Sequence, residues 1–155
     1  MTFYSFDTSS LLNGRRDLVP PPTFPTLWAN IEAMIEGGAI RCIDLVRDEL
    51  LARDDEIHRW ARDQTDLFLP LTRDVQLAVR EMLLEHPRII GIGSGRSGAD
   101  PFVIALARVH GGVVVTEETL SRNITKPKIP DVCDAMGVRR LTLLQFVQEQ
   151  GWVFR

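Results

Sequence analysis

The chain has 155 residues, of which 45% are hydrophobic and 25% charged, and this ordinary composition excludes a disordered or fibrous protein. At this length one domain can bury about 68–70% of its unfolded surface, so we expect a single domain over residues 1–155. The net charge of −3 gives no basic surplus to favour nucleic-acid binding, although a bound metal ion could supply positive charge locally.

Membrane and secretory signals are missing from the amino-acid pattern. No apolar stretch approaches the roughly 20 residues that a membrane span requires. The N-terminal residues have neither the basic region nor the long apolar segment of a secretory signal. Cys42 and Cys133 fit no CxxC pattern, and we interpret both as buried thiols of a reducing compartment. These patterns predict a cytoplasmic protein without membrane association.

The N-terminal part of the chain predicts a strand, a proline-rich connection and a helix. Residues 3–6 form a short apolar strand, and the helical turn that follows is expected to end at Gly14. Four prolines between 17 and 25 indicate an extended connection. Pro25 suits the first position of a helix, which Gly37 and the next glycine are expected to end.

Strands and helices are expected to alternate through the rest of the chain. The three valines of 113–115 are typical of a strand that is buried on both faces. The predicted elements are, in order, a strand at 40–46, a mostly helical segment at 46–63, a helix from Thr72 to His86, a strand at 88–92, a helix from Pro101 to Gly111, the strand at 113–115, a short helix from Pro130 to Gly137 and a helix from Thr142 to Gly151. This alternation predicts an α/β domain with three layers, α/β/α, and a mainly parallel central sheet.

In such a sheet the ligand site lies at the carboxyl ends of the strands, and acidic residues follow several of the predicted strands. Asp7 follows the first, Glu49 lies on the helix after the second, Asp100 precedes the helix from Pro101, and Glu117 and Glu118 follow the strand at 113–115. Two carboxylates about 4 Å apart repel by up to about 4 kcal/mol at an effective dielectric near 20. A cation would relieve that repulsion, and carboxylate oxygens suit Mg²⁺ or Mn²⁺.

Structural roles also explain some of these acids. Asp7 and Asp100 each precede a predicted helix and could act only as its N-cap. Glu117 and Glu118 point to opposite sides of an extended chain, so at most one of them is expected to bind a metal.

Four segments carry a resemblance to a known family: residues 4–12, 48–51, 97–107 and 113–118. In their order and spacing the chain resembles the PIN-domain ribonucleases of the kind found as VapC-type toxins in prokaryotic toxin–antitoxin pairs. The resemblance implies a PIN-like three-layer fold and an acidic metal-binding quartet of Asp7, Glu49, Asp100 and Glu118. It also implies Mg²⁺- or Mn²⁺-dependent hydrolysis of RNA, a homodimer and an inhibitory antitoxin partner.

The chain departs from the family pattern at the fourth acid. The family usually has Thr-x-Asp where this chain has Thr116-Glu117-Glu118, and the longer glutamate could reach a metal through water. Residues 126–133 are longer than in a minimal toxin and resemble a PIN-like branch with an Ile-Pro-x-Val-Cys stretch after the fourth acid. Glu117 and Asp131 therefore stay possible substitutes for Glu118.

A glycine-rich segment supports a competing hypothesis. Residues 93–98 satisfy the GxGxxG pattern after a predicted strand, and Glu117 and Glu118 follow about 20 residues later, as in a dinucleotide fingerprint. However, Asp100 would place a negative charge at the helix N-terminus where a pyrophosphate binds. A dinucleotide-binding or non-catalytic PIN-like module is thus the alternative function. Basic residues of the predicted loops could hold phosphates in either case: Arg15, Arg16, Arg96, Arg122, Lys126 and Lys128.

Overall fold

A computed structural model describes residues 1–53, 55–89, 98–123 and 125–155. Within these residues the strands are β1 (Tyr4–Phe6), β2 (Ile40–Ile43), β3 (Phe68–Leu69), β4 (Val113–Val115) and β5 (Arg139–Leu141). The helices are α1 (Thr8–Asn13), α2 (Pro25–Glu36), α3 (Asp44–Leu51), α4 (Glu56–Asp63), α5 (Arg73–Glu85), α6 (Asp100–Val109), α7 (Ile129–Met136) and α8 (Leu143–Gln150). No helix of the described residues is long and apolar enough to cross a membrane.

The five strands form one parallel sheet in the order β3-β2-β1-β4-β5. β1 lies at its centre, with Tyr4 opposite both Ile40 of β2 and Val113 of β4. All residues of β1 and β4 are buried, as expected of parallel strands covered by helices on both faces. The predicted three-layer α/β/α architecture with a parallel sheet is confirmed.

Local capping explains where several helices begin and end. Thr72 accepts the N–H of Val75 and begins α5, and Thr142 accepts the N–H of Gln145 and begins α8, both as predicted. At the other end of α8, Gly151 adopts a φ of 73°, a left-handed conformation that glycine reaches without steric cost.

The first helix ends at Asn13 with Gly14 as its C-cap, as predicted, but Gly14 does not stop the helical path of the chain. Gly14 has helical dihedral angles, and the chain continues as a π-helical turn at Gly14–Leu18 into the segment expected to be extended. A Cβ atom at Gly14 would lie 2.5 Å from Cδ2 of Leu143 at the start of α8. Glycine occupies this position because two elements approach closely there, and not because the helix must end.

Three further boundaries differ from the sequence predictions. The strand at 40–46 ends at Ile43, where α3 begins, and the helical segment at 46–63 is divided between α3 and α4. The strand expected at 88–92 is wrong in its described part, because Pro87–Ile89 form a 3-10 turn; residues 90–92 lie outside the described residues. The short strands β3 and β5 were not predicted, since two or three residues carry no readable alternation.

Candidate active site

Asp7 lies where β1 ends and α1 begins, at the carboxyl edge of the sheet. One carboxylate oxygen, Oδ1, accepts the N–H of Ser10 at 2.8 Å, so Asp7 is the N-cap of α1, as one interpretation of the sequence predicted. The hydroxyl of Ser9 donates to Oδ2 at 2.8 Å, and the hydroxyl of Thr116 donates to the same atom. The side chain is thus buried and held by neutral donors from two adjacent strand ends.

The surroundings of Asp7 raise the pKa of its carboxyl group. Burial raises its pKa from 3.8 to about 6, and the hydrogen bonds from Thr116, Ser10 and Ser9 only partly offset that rise. The charge of Glu118 raises the pKa further, so the Asp7 and Glu118 carboxylates are close enough to repel. The groups that lower the pKa are neutral hydrogen-bond donors, and a cation at this point would favour the ionised form more strongly.

Glu49 reaches the same region from α3. Its Oε2 atom accepts a hydrogen bond of 2.6 Å from the hydroxyl of Thr8, the residue that follows Asp7. Glu49 is therefore attached by a hydrogen bond to the residue that follows Asp7 in the chain. That hydrogen bond fixes the orientation of the half-buried Glu49 carboxylate.

Asp100 is the first residue of α6 and is buried. The prediction that it serves as the N-cap is wrong, because Ala99 occupies that position. α6 is attached to β1 by a hydrogen bond of 2.8 Å from the Ser5 hydroxyl to the carbonyl of Val103, one helical turn after Asp100. The helix that begins at Asp100 therefore packs against β1.

The two glutamates after β4 each hold the beginning of a different helix. Oε1 of Glu117 accepts the N–H of Leu143 at 2.7 Å, and Oε2 of Glu118 accepts the N–H of Ile129 at 3.1 Å. Their side chains thus diverge, Glu117 toward α8 and Glu118 toward α7, which agrees with the expectation that only one faces the other acids. Glu118 is the one whose charge acts on Asp7.

Asp131, the other possible substitute, lies in the first turn of α7 and is engaged by the backbone that precedes this helix. Its carboxylate accepts the N–H groups of Ser121, Arg122 and Lys128 at 2.8–3.2 Å. Burial alone would raise the pKa of Asp131, but these donors outweigh it and hold the pKa below its usual value. We therefore assign Asp131 to loop structure.

The side chains present suit a hard cation by type, although they do not form a complete cage. Carboxylates and hydroxyls are the oxygen ligands that Mg²⁺ and Mn²⁺ prefer. Nevertheless, no group of three or more His, Cys, Asp or Glu side chains in the described part of the chain is placed to hold a metal ion. Mg²⁺ keeps several waters and is commonly bound by one or two carboxylates, so the neighbouring Asp7 and Glu118 fit this ion without such a group.

Two of the candidate phosphate-binding arginines have carboxylate partners. The Arg15 guanidinium is buried between the rings of Trp28 and Trp60, each 4.6 Å away, and is paired with Glu56. Arg16 forms an exposed ion pair with Asp17. Arg15 is thus a structural cation and not a surface contact for phosphate.

The glycine-rich segment is only partly visible. Residues 93–97, including Arg96, lie outside the described residues, and Gly98 alone of the pattern is described. The 3-10 turn at Pro87–Ile89 and α6 flank the segment, and the described residues between α5 and α6 contain no strand. A dinucleotide fingerprint requires a strand directly before its glycines, and residues 90–92, where that strand would end, lie outside the described residues.

The sequence interpretation missed the hydroxyl groups of the site. Thr8, Ser9 and Thr116 all donate to the candidate carboxylates. Ser9 also accepts the N–H of Glu117 at 3.0 Å, and Thr116 accepts that of Glu118 at 3.1 Å. The sequence could have indicated these hydroxyl groups, because each of the three residues lies within two positions of a candidate acid.

Comparisons with known proteins give a family for the chain and one similar solved structure. A family model described as a domain of unknown function (DUF4411) matches residues 4–154. The crystal structure of VapBC2 from Rickettsia felis bound to a DNA fragment from its promoter is similar with a TM-score of 0.56 and 12% sequence identity, over 91% of this chain and 98% of that one. This likeness shows a PIN-like fold, as the sequence predicted. No curated protein sequence matches the chain.

Proposed function

The chain belongs to the DUF4411 family of domains of unknown function, and we propose that it is a metal-dependent endoribonuclease. One observation carries this proposal. Asp7 is a buried carboxylate at the carboxyl edge of the central strand, its pKa is raised to about 6 by burial and further by Glu118, and its hydrogen-bond donors are neutral. Perturbed acids that gather at a sheet edge are typical of functional sites.

In this proposal Asp7, Glu49 and Asp100 would hold Mg²⁺ or Mn²⁺, with Glu118 as the fourth acid. Because no three acids of the described residues are placed to hold an ion directly, some of these contacts would pass through bound waters. When bound, the ion would stabilise negative charge on a phosphoryl oxygen and lower the pKa of a bound water. The hydroxyls of Ser9 and Thr116 keep the Asp7 carboxylate in one orientation. Such supporting hydrogen bonds commonly tune metal affinity.

The biological role that we propose is that of a toxin in a type II toxin–antitoxin pair, acting on RNA in the cytoplasm. The similar structure is described as a VapBC2 complex with promoter DNA. By analogy, a cognate antitoxin protein would bind this chain and inhibit it, and the active toxin would be a homodimer.

A non-catalytic PIN-like module is the second candidate. It is favoured by one observation, namely that the described residues contain no group of three metal-binding side chains. In that case the acids would serve as the helix caps already seen at Asp7, Glu117 and Glu118.

Cleavage of labelled RNA by the purified chain, in Mn²⁺ and in EDTA, separates the two candidates. We expect cleavage that requires the metal and that Asp7→Asn abolishes without loss of the fold, because asparagine has nearly the same shape but lacks the charge. Asp17→Asn is the matched control, since Asp17 is exposed and paired with Arg16. Metal-independent cleavage, or equal cleavage by Asp7→Asn, would exclude the proposed site.

A further inference from the structure

One face of α5 is exposed to solvent and carries two leucines. The other face of this helix, with Val75, Val79 and Met82, is buried, and the helix packs against α6. On the exposed face Leu77 is 45% exposed and Leu84 is 80% exposed. The two leucines are seven positions apart, which is close to two helical turns, so they lie on one line along the helix. We call this line of two leucines the α5 stripe.

Charged residues of opposite sign border the α5 stripe on its two sides. At about 100° per helical residue, Arg73 and Arg80 lie about 40° and 60° from Leu77 on one side and form a basic edge. Asp74 and Glu81 lie at similar angles on the other side and form an acidic edge. All four charged residues are exposed. Because each edge is made of residues seven positions apart, both edges run parallel to the stripe.

The charges of these two edges are not paired with each other along the helix. Within the residues that the structure describes, the side chains of both edges form no ion pair. The helical spacing explains this, because residues three and four positions apart face each other, whereas adjacent residues such as Arg80 and Glu81 point to different sides. The basic and the acidic edge are therefore both available to a partner that carries the opposite charges.

This charge pattern is complementary to a second copy of the same face. When two identical helices pack side by side and parallel, a twofold axis along them brings the basic edge of one copy against the acidic edge of the other. Arg80 then lies across from Glu81 of the other copy, and Arg73 lies across from Asp74 of the other copy. Each leucine of the stripe meets the same leucine in the second helix. Antiparallel packing would instead bring like charges together, which is unfavourable, so the charges favour the parallel pair.

We propose that two copies of this chain form a homodimer in which their α5 helices pack in parallel through the α5 stripe. Leu77 and Leu84 of both copies leave water at the centre of the contact, and the two charged edges border it. An apolar centre with a polar rim is the usual arrangement of a protein interface. This inference rests on the homodimer of the proposed function, whose interface it names, and it is independent of RNA cleavage.

Analytical ultracentrifugation over a series of protein concentrations measures the dissociation constant of the dimer. We expect Leu84→Gln to raise this constant by about 100-fold, because both copies lose an apolar side chain that the contact buries. Leu144→Gln is the matched control, since Leu144 is 49% exposed on α8, and this variant should dimerise as the wild type does. A wild-type chain that stays monomeric up to millimolar concentration, or a dimer that Leu84→Gln leaves unchanged, would overturn the inference.

Reversal of the charges tests the parallel orientation. Arg80→Glu alone brings two acids together in each contact and Glu81→Arg alone brings two bases together, so each variant should dimerise at least about tenfold more weakly. A mixture of these two variants should form a heterodimer as tight as the wild-type dimer, because both contacts then join opposite charges. Arg62→Glu reverses an exposed charge on α4 and is the control. Failure of the mixture to restore the dimer, or tighter dimers in the single variants, would overturn the inference.

Cleavage of labelled RNA by the wild-type chain separates this inference from the proposed nuclease. A dimer that responds to the substitutions as expected, in a chain that never cleaves RNA, would keep the inference and overturn the nuclease. Metal-dependent cleavage by a chain that is always monomeric would keep the nuclease and overturn the inference.

Discussion

At the scale of single residues, Asp7 is a carboxylate whose burial opposes its own charge. The carboxylate is buried, and its partners are two hydroxyls and one backbone N–H. A rise in pKa from 3.8 to about 6 corresponds to about 3 kcal/mol against the ionised form in the folded state. A bound cation would remove that cost, so metal binding and folding should be coupled at this side chain.

This cost predicts a pH dependence for the metal-free protein. Well below pH 3.8 Asp7 is protonated in both states and contributes nothing. As the pH rises from 3.8 to about 6, the unfolded chain loses the proton first, and this stabilises the unfolded state relative to the folded one. Asp7→Asn lacks this titration but keeps a capping oxygen. In EDTA, the variant should therefore gain stability over the wild type between pH 4 and 7, by up to about 3 kcal/mol.

Urea denaturation of both proteins at several pH values in EDTA measures that difference. Asp17→Asn, at an exposed position, should show no comparable trend. A difference between Asp7→Asn and the wild type that stays constant from pH 4 to 7 would contradict the assignment of a raised pKa.

Thr8 offers a test that does not change any charge. Its hydroxyl orients Glu49 through a hydrogen bond of 2.6 Å, and Thr8→Val removes the hydroxyl at almost constant shape. If Glu49 binds the metal, Mn²⁺ affinity measured by calorimetry should fall by about tenfold, as is typical when a supporting hydrogen bond is lost. Thr26→Val, on the exposed side of α2, should leave the affinity unchanged. Equal affinities in all three proteins would remove Glu49 from the site.

At the scale of elements, the end of β4 positions two helices at once. Glu117 caps α8 and Glu118 caps α7, and their backbone N–H groups are held by Ser9 and Thr116. A short strand thereby fixes where both C-terminal helices begin. The fourth acid of the proposed site has a structural role as well, which explains why a glutamate, with its longer reach, is compatible with this position.

The two glutamates can be separated by a matched pair of substitutions. Glu117→Gln and Glu118→Gln each keep an oxygen that can accept the helix N–H, so both metal-free variants should lose at most about 1 kcal/mol of stability. Only Glu118→Gln should reduce Mn²⁺ binding, because Glu118 is the acid whose charge acts on Asp7. A larger loss of binding in Glu117→Gln would transfer the fourth position to that residue.

Elements with strong local signals could be predicted from sequence, and elements defined by tertiary contacts could not. Thr72 and Thr142 were identified as N-caps because their side chains satisfy neighbouring backbone groups. α1 ends before Gly14 as predicted, but sequence could not show that the close approach of Leu143, far away in the chain, also requires glycine there. β3 and β5 are so short that only pairing with β2 and β4 defines them.

The candidate acids were predictable for a related reason. Parallel topology brings strand ends to one edge, so residues after strands could be proposed as neighbours without knowing their contacts. Sequence could not show that Glu118 and Asp131 differ in role. That difference depends on which carboxylate accepts the backbone N–H groups of Ser121, Arg122 and Lys128. In the structure this carboxylate is that of Asp131.

At the scale of the whole molecule, the candidate site is assembled from elements that are distant in sequence. Asp7 follows β1, Glu49 lies on α3, Asp100 begins α6 and Glu118 follows β4. An ion that binds these groups would connect four parts of the chain. Metal should therefore stabilise the folded protein globally and raise its melting temperature.

Asp100 gives a direct test of this coupling between metal binding and stability. It is the first residue of α6 but not its N-cap, so its substitution can change metal binding without removing a helix cap. Asp100→Asn removes the charge, and the lost interaction with the helix dipole is about 0.3–1 kcal/mol. Relief of repulsion from the other acids should offset this loss, so the metal-free variant should be at least as stable as the wild type. Mn²⁺ at 100 times its dissociation constant should raise the wild-type melting temperature by about 5–10 °C and that of Asp100→Asn much less.

Asp74→Asn removes an exposed acid from the first turn of α5 and should respond to Mn²⁺ as the wild type does. Thermal melts of the three proteins in EDTA and in Mn²⁺ decide the matter, since equal shifts in all three would remove Asp100 from the site and no shift in any would favour the non-catalytic module.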